Sequence, residues 1–347
     1  MTKNILINGN MGYIGPPLTK HLMSSKEDYC LHGFDTGYFA HCLTTKDGLP
    51  ERQLKAQYFG DIRNYPNQIM DGIDAVVHLA AISNDPIGNA YEQVTAEINI
   101  EASVEIARAA KAAGVKRFVF ASSCSVYGAG PDKACDEKAP LNPVTAYARS
   151  KIAMEEALAE LADDDFKVTC LRFATACGWS DRLRLDLVLN DFVASAIATG
   201  TITILSDGTP WRPLIHVDDM ARAIEWAIQS DADTPFLALN TGSDRWNYQI
   251  RDLAHAVADI IPGVDVSINQ DAMPDKRTYK VDFSKFSELA QGYTPQVSLE
   301  DAIRGLQAGL TAVGFKDAEF RASNLMRLNM LNSHQNSGML NKELFWV

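Results

Sequence analysis

The sequence predicts an α/β protein built on a doubly wound parallel sheet, with a smaller C-terminal α/β lobe. Three observations carry this. In the first half, short β-branched runs alternate with longer amphipathic stretches, the rhythm of βαβ units. A glycine pattern, Asn8-Gly9-Asn10-Met11-Gly12-Tyr13-Ile14-Gly15, stands between the first such run and the first amphipathic stretch. Beyond residue 175 the rhythm changes, which marks a second lobe.

The strands read as Asn4–Asn8, Cys30–Phe34, Gln57–Phe59, Ala75–Leu79, Arg117–Ser122 and Val168–Phe173. Ala75-Val76-Val77-His78-Leu79 is nearly continuous in apolar residues, as a strand covered on both faces must be. His78 within it reads as a satisfied core histidine. The helices read as Tyr13–Ser25, Tyr91–Ala113 and Thr145–Ala162. The second lobe offers a helix at Leu185–Thr199, a strand at Ile202–Leu205, a turn at Asp207-Gly208-Thr209-Pro210 and a strand at Trp211–Val217. Helices at Asp218–Gln229 and Tyr248–Ile261 follow. The tail is polar and helix-prone over Asp317–Leu331 and ends in Leu344-Phe345-Trp346-Val347, which either packs on the body or forms a dimer contact.

Composition bounds the function. The 347 residues suffice for one large α/β domain or two sharing an interface, and 46% hydrophobic residues is ordinary for a full core. No run reaches the roughly 18 apolar residues of a membrane span. Met1-Thr2-Lys3-Asn4 leads straight into a strand, so no signal peptide is expected. The six cysteines form no CxxC pair and no metal-ligand spacing, and no metal is expected. A reducing cytoplasm is the simplest compartment. A net charge of −12 argues against nucleic-acid or membrane-surface partners, both polyanions. It leaves room for one anionic ligand held by a few arginines and a helix N-terminus.

The glycine pattern is the fingerprint of a dinucleotide. Gly9 allows the tight turn, Gly12 lets backbone approach a pyrophosphate, and Gly15 permits close helix–strand packing. The helix N-terminus beside Tyr13 and Ile14 then faces the pyrophosphate with free N–H groups. Asp35, at the end of the second strand, falls where a carboxylate accepts from both ribose hydroxyls. It repels a 2′-phosphate, and Thr36-Gly37-Tyr38 offers no arginine, so NAD is favoured over NADP. Asp61-Ile62 either contacts adenine or caps the turn before Arg63-Asn64. Leu79-Ala80-Ala81 is small enough for a cofactor to lie close. The fold is therefore read as Rossmann-type. Residues 1–174 form the NAD-binding domain and 213–240 return to it. Residues 175–212 and 241–315 form the substrate lobe, and 316–347 a helical extension.

Tyr147 and Lys151, spaced i, i+4, share a helix face. A tyrosine with an ordinary pKa near ~10 is a poor base at neutral pH, and a nearby cation favours the phenolate. Lys151 and an oxidised nicotinamide are expected to lower it. Ser123, just past the fifth strand, can hydrogen-bond the same substrate oxygen, beside Ser122. Phenol, ammonium, hydroxyl and hydride carrier together point to redox chemistry at a carbinol carbon. Cys124 reads as small filler, because nothing near it in sequence activates a thiol. Trp211 either stacks on a base or packs.

Taken together, Gly9/Gly12/Gly15, Asp35, Asp61-Ile62, His78-Leu79-Ala80-Ala81, Ser122–Gly128 and Tyr147…Lys151 resemble the extended short-chain dehydrogenase/reductases. Within them the chain is most similar to the nucleotide-sugar epimerase/dehydratase family, of the UDP-glucose 4-epimerase-like kind. Leu171–Thr175, Arg212–Asp219, Asn240–Gly242 and Arg277–Asp282 agree, so the likeness covers residues 1 to about 312. The resemblance implies that Tyr147 is the acid/base and that Lys151 anchors the nicotinamide ribose. Ser123 becomes the catalytic hydroxyl, and Asn99 the helix asparagine near the site. Ser83, Thr175, Asn190, Arg212 and Arg277 fall to a nucleotide-diphosphate sugar, the arginines to its diphosphate. Thr175 departs from the asparagine that many members carry. Arg182 and Arg184, near the expected nucleotide loop, either reach substrate or are solvated. The family's dimer helices match Tyr91–Ala113 and Thr145–Ala162, so a homodimer is implied.

One departure narrows the chemistry. Related 4,6-dehydratases place Asp-Glu after the catalytic hydroxyl residue, and decarboxylating relatives keep a glutamate at the Ser125 position. Here Ser123 is followed by Cys124-Ser125, which do not replace carboxylates in an elimination. Epimerisation through a 4-keto sugar is the expected reaction. The alternatives are a reductase or atypical dehydratase of the same fold, and a non-catalytic dinucleotide sensor or scaffold.

Overall fold

The first half folds as the alternation predicts: β1 (Lys3–Asn8), α1 (Gly15–Met23), β2 (Tyr29–Asp35), β3 (Ala56–Phe59) and β4 (Ala75–His78). The structure, a computed structural model, describes residues 2–46, 48–131, 133–231, 233–269, 272 and 277–347. The chain continues through α2 (Asp85–Ala90), α3 (Glu92–Ala96), a π-turn (Glu97–Ala102), α4 (Ser103–Ala112), β5 (Arg117–Ser123), α5 (Ala146–Leu161) and β6 (Lys167–Phe173). The helix expected over Tyr91–Ala113 runs continuously over Glu92–Ala112, with a π-helical stretch inside it. Its π-turn carries Asn99, whose amide accepts from Ile82 N and donates to Ile82 O and Ser150 Oγ. Such turns recur where a helix must aim one side chain.

The second half supplies β7 (Thr175–Cys177), α6 (Val188–Thr199), β8 (Thr201–Ile204), β9 (Trp211–His216), α7 (Val217–Gln229) and β10 (Phe236–Thr241). Then come β11 (Asn247–Gln249), α8 (Ile250–Ile260), β12 (Asp265–Ile268), α9 (Ser284–Leu289), α10 (Leu299–Ala312) and α11 (Arg327–Asn336). The tail helix sits at Arg327–Asn336 and not at Asp317–Leu331, where helix propensity alone put it. Tertiary contacts override propensity there: Tyr91 Oη donates to Gln335 Oε1 at 2.7 Å and lies 3.1 Å from Asn332 Oδ1.

Seven parallel strands form one sheet in the order β10-β6-β5-β4-β1-β2-β3. Strand β10, a short apolar run after Pro235 that periodicity did not single out, adds to β6. Side chains alternate through the sheet. Ile5 and Ile7 face one way, with Leu18 and Leu22 of α1. Leu6 faces the other, with Phe118, Met154 and Leu158. The lobe is made of two small sheets, β11-β9-β7 and β12-β8.

Gly15 is required by packing: a Cβ there would lie 1.8 Å from Asn10 O. A buried ion pair fastens α5 to β6. Arg172 Nη2 lies 2.7 Å from Glu155 Oε2, its Nε also donates to that carboxylate, and Ser122 Oγ donates to it as well. The network runs on, with Arg172 Nη1 donating to Tyr127 Oη and Tyr127 Oη to Asn240 Oδ1. Glu155→Leu leaves Arg172 buried without a counter-charge. The expected loss is about 3–5 kcal/mol, and Glu155→Leu/Arg172→Met together should recover most of it. Denaturant midpoints of the single and double variants check this, and equal midpoints would contradict it.

Candidate active site

A cavity of about 1000 Å³ opens at the carboxyl ends of the strands, where strand order reverses between β1 and β4. Gly9, Gly12, Tyr13 and Ile14 form one wall. Gly9 has φ 84°, and a Cβ on it would meet Ala80 N at 2.6 Å, so the loop holds its course only as glycine. Asp35 lines the cavity from β2; its Oδ2 accepts from Met11 N at 2.9 Å and its Oδ1 from Gly37 N at 2.7 Å. Burial raises the Asp35 carboxyl above its ordinary range, against these two N–H bonds. Leu79, Ala80, Ala81 and Ile62 line it as well. Asp61 both lines the cavity and caps the turn, accepting from Arg63 N and pairing with the Arg63 guanidinium. These residues fit a dinucleotide: a cradle that excludes side chains, and a carboxylate at the end of the second strand.

The helix expected to begin near Tyr13 begins at Gly15, and Pro16 and Pro17 occupy its first turn. Two first-turn N–H donors are therefore missing, and Gly12 N is spent on Gly9 O.

The opposite wall carries the phenol, ammonium and hydroxyls that the sequence singled out. Thr145 caps α5 by accepting from Ala148 N, which fixes the turn holding Tyr147. Tyr147, Lys151, Ser122 and Ser123 all line the cavity. Lys151, 3% exposed, donates from Nζ to Ala121 O at 2.7 Å. Its Nζ stands 4.5 Å from the Phe120 ring centroid and 5.4 Å from that of Tyr147. Burial takes Lys151 down to about 7 despite Glu155. Tyr147 goes the other way from the expectation. Burial outweighs its hydrogen bond with Ser123 and the charge of Arg184, and pushes the phenol up to about 12. The protein's own groups do not make this tyrosine a base at neutral pH.

Ser83, Thr175, Arg212 and Arg277 also line the cavity. Arg277 pairs with Asp85 at 2.6 Å, and the Arg212 guanidinium stands 5.8 Å from the Tyr279 ring. Three expected site residues do not line it. Gly15 acts through packing, Asn99 through the backbone of Ile82. Asn190 is buried, donating to Tyr13 Oη and Arg184 O and accepting from Gly178 N. Neither Arg182 nor Arg184 is solvated. Arg182 is enclosed and paired with Glu51. Arg184 lines the cavity, pairs with Asp186 at 2.7 Å and donates to Ser83 Oγ. Its i, i+2 spacing to Asp186 was the signal available in sequence. His78 is a core group: its Nε2 meets Ser103 Oγ at 2.9 Å, and burial lowers it to about 3, hence neutral. Cys124 is buried on Arg172 O with its thiol pushed up, as filler should be. Trp211 lies under the Lys280 ammonium, 5.2 Å from its ring centroid.

Between pH 7 and the ordinary lysine value near ~10.4, the unfolded chain binds a proton at Lys151 that the folded chain does not. The stability contributed by this site therefore rises with pH across that window. Lys151→Met relieves the burial penalty most at low pH. Its advantage in melting temperature over the parent protein should be largest near pH 6.5 and shrink by pH 9.5. A pH-independent difference would contradict the assignment.

A model of the NAD dependent epimerase/dehydratase family matches residues 5–242. The chain is 26% identical to a UDP-glucose 4-epimerase of Streptomyces lividans over 74% of its length and 80% of the relative's. It is 26% identical to a dTDP-glucose 4,6-dehydratase of Streptomyces griseus, over 87% and 92%. Among solved structures, a UDP-glucose-4-epimerase from Stenotrophomonas maltophila with bound NAD and formylated UDP-arabinopyranose superposes with a TM-score of 0.77 at 24% identity. That match covers 92% of this chain and 100% of the other. The NAD-dependent NDP-hexosamine 5,6-dehydratase TunA gives 0.75 at 19%, over 91% and 99%. With NAD as its cofactor and an enzyme's cleft at the strand ends, the chain belongs to the NAD dependent epimerase/dehydratase family.

Proposed function

We propose that the protein is a nucleotide-sugar epimerase acting through a transient 4-keto sugar. One observation carries the choice of epimerisation over elimination: among the described residues, the carboxylates lining the cavity are all committed. Asp35 accepts two backbone N–H groups, and Asp61, Asp85, Asp186 and Asp191 pair with Arg63, Arg277, Arg184 and Arg321. A dehydratase needs a carboxyl acid and base beside its hydroxyl residue. Cys124 is buried against a carbonyl, and Ser125 presents a hydroxyl without a partner.

Bound NAD supplies the hydride acceptor, the later donor and, when oxidised, a positive charge near the phenol. The chain's residues do the rest. Tyr147 takes the proton of the sugar hydroxyl while Ser123 holds the same oxygen, and the carbinol carbon becomes a ketone. The sugar turns its other face, and Tyr147 returns the proton to the oxygen. The added positive charge offsets the burial that holds the phenol near 12. Lys151 donates toward the ribose and, in its protonated form, favours the phenolate. Arg212 and Arg277 hold the diphosphate, Arg277 keeping Asp85 as its counter-ion.

Purified protein mixed with UDP-, dTDP-, GDP- and CDP-sugars, with no added cofactor, should change the configuration of one sugar by NMR with no net NADH. A strict need for stoichiometric NAD(P)H would sink the epimerase reading in favour of a reductase. Tyr147→Phe should lower kcat by roughly 1,000-fold or more; full activity would sink the mechanism. We also propose a homodimer through the faces of Glu92–Ala112 and Ala146–Leu161. Light scattering should return twice the 38.1 kDa of one chain, and a monomer mass would refute it.

A further inference from the structure

The cavity has a wall that the glycine motif does not announce. Arg321, Met326 and Arg327 line it from beyond the residues that the family model matches. The chain then turns through α11 and returns to the ends of β2 and β3. Trp346 Nε1 donates to Thr36 O at 2.7 Å, Tyr38 Oη donates to Leu344 O, and His334 Nε2 meets Tyr38 O at 2.9 Å. The Arg63 guanidinium lies 3.5 Å from the Phe345 ring centroid and donates to Glu343 O, while pairing with Asp61. So the last residues grip the segments that follow Asp35 and Asp61. Leu344 holds φ 60°, a left-handed conformation costly for leucine, with its side chain fully buried. The clasp is anchored tightly enough to hold that strain.

Arg327 is the second observation. It is 2% exposed, stacks 4.6 Å from the Phe39 ring centroid and donates from Nη2 to Arg182 O. Its Nη1 has no hydrogen-bond acceptor, and among the described residues it forms no ion pair. Asp186, the carboxylate whose charge reaches it, is already gripped by Arg184. A buried cation without a counter-charge is costly unless an anion completes it. At the glycine loop, Pro16 and Pro17 have removed two donors from the first turn of α1.

We infer that the C-terminal segment is part of the dinucleotide site: Arg327 supplies counter-charge to the cofactor diphosphate, and the Glu343–Trp346 clasp shuts the adenosine end. NAD then leaves only when the clasp lifts. This rests on NAD occupying this cleft, and it goes beyond the sugar chemistry.

The test is nucleotide release, with no sugar present. Protein loaded with NAD is diluted into excess etheno-NAD, and exchange is followed by fluorescence. Arg327→Met and a chain ending at Lys342 should each release NAD at least about 10-fold faster than the parent, the equivalent of about 1.4 kcal/mol. Both variants releasing NAD at the parental rate, while folded by circular dichroism, would overturn the inference. If Arg327→Met does not fold, the shortened chain decides, since Leu344 is the one fully buried residue among those it deletes. Hydrogen exchange on the unaltered protein gives an independent reading. Residues 327–347 should be protected when NAD is added, and unchanged protection would overturn the inference without any variant. Because no sugar enters these assays, their failure leaves the epimerase reading standing. A failed sugar conversion with slow NAD release leaves the clasp standing.

Discussion

The Glu155–Arg172 pair is the constraint on which the site depends. It ties the helix carrying Tyr147 and Lys151 to the strand neighbouring Ser122 and Ser123, and Ser122 itself donates into the pair. Lys151 stands one turn from Glu155 on the same helix. Tyr147 and Lys151 therefore cannot drift from the strand ends without unpairing two buried charges. In a low-dielectric interior an unpaired charge costs more than a lost contact, so the geometry of the cleft is held electrostatically as well as by packing.

The same low dielectric sets the chemistry. Burial raises the phenol of Tyr147 and lowers the ammonium of Lys151, the reverse of what a solvated pair would do. A ligand that brings positive charge would pull the phenol back down. The carboxylates around it are each neutralised by an arginine or by backbone N–H groups, which leaves few competing bases and a cleft whose balance changes with its ligands.

Local patterns told most of this from sequence. The glycine loop, Asp35 and the Tyr147/Lys151 spacing are short-range features with one geometric solution, and they fall together in the cavity. Long-range features were not legible. Strand β10 is a few apolar residues whose partner, β6, lies far back in the chain. Arg184 reads as either reaching substrate or solvated, and its local pairing with Asp186 becomes decisive only once both are seen to be buried. Asn190 resembles a ligand contact by position, yet three internal hydrogen bonds consume its amide. The tail is polar without a hydrophobic period, so only tertiary contacts could place its helix or bring Arg327 to the cleft.

Strand β10 has a further consequence for how the molecule can be divided. The sheet is not finished at the first lobe's boundary, because β6 pairs on its outer side with residues 236–241. A fragment ending near residue 174 exposes the unpaired backbone edge of β6, a template on which chains stack and precipitate. The nucleotide half is consequently not a portable module. Grafting or trimming must keep α7 and β10 with it, and the second lobe, threaded between β6 and β10, comes along.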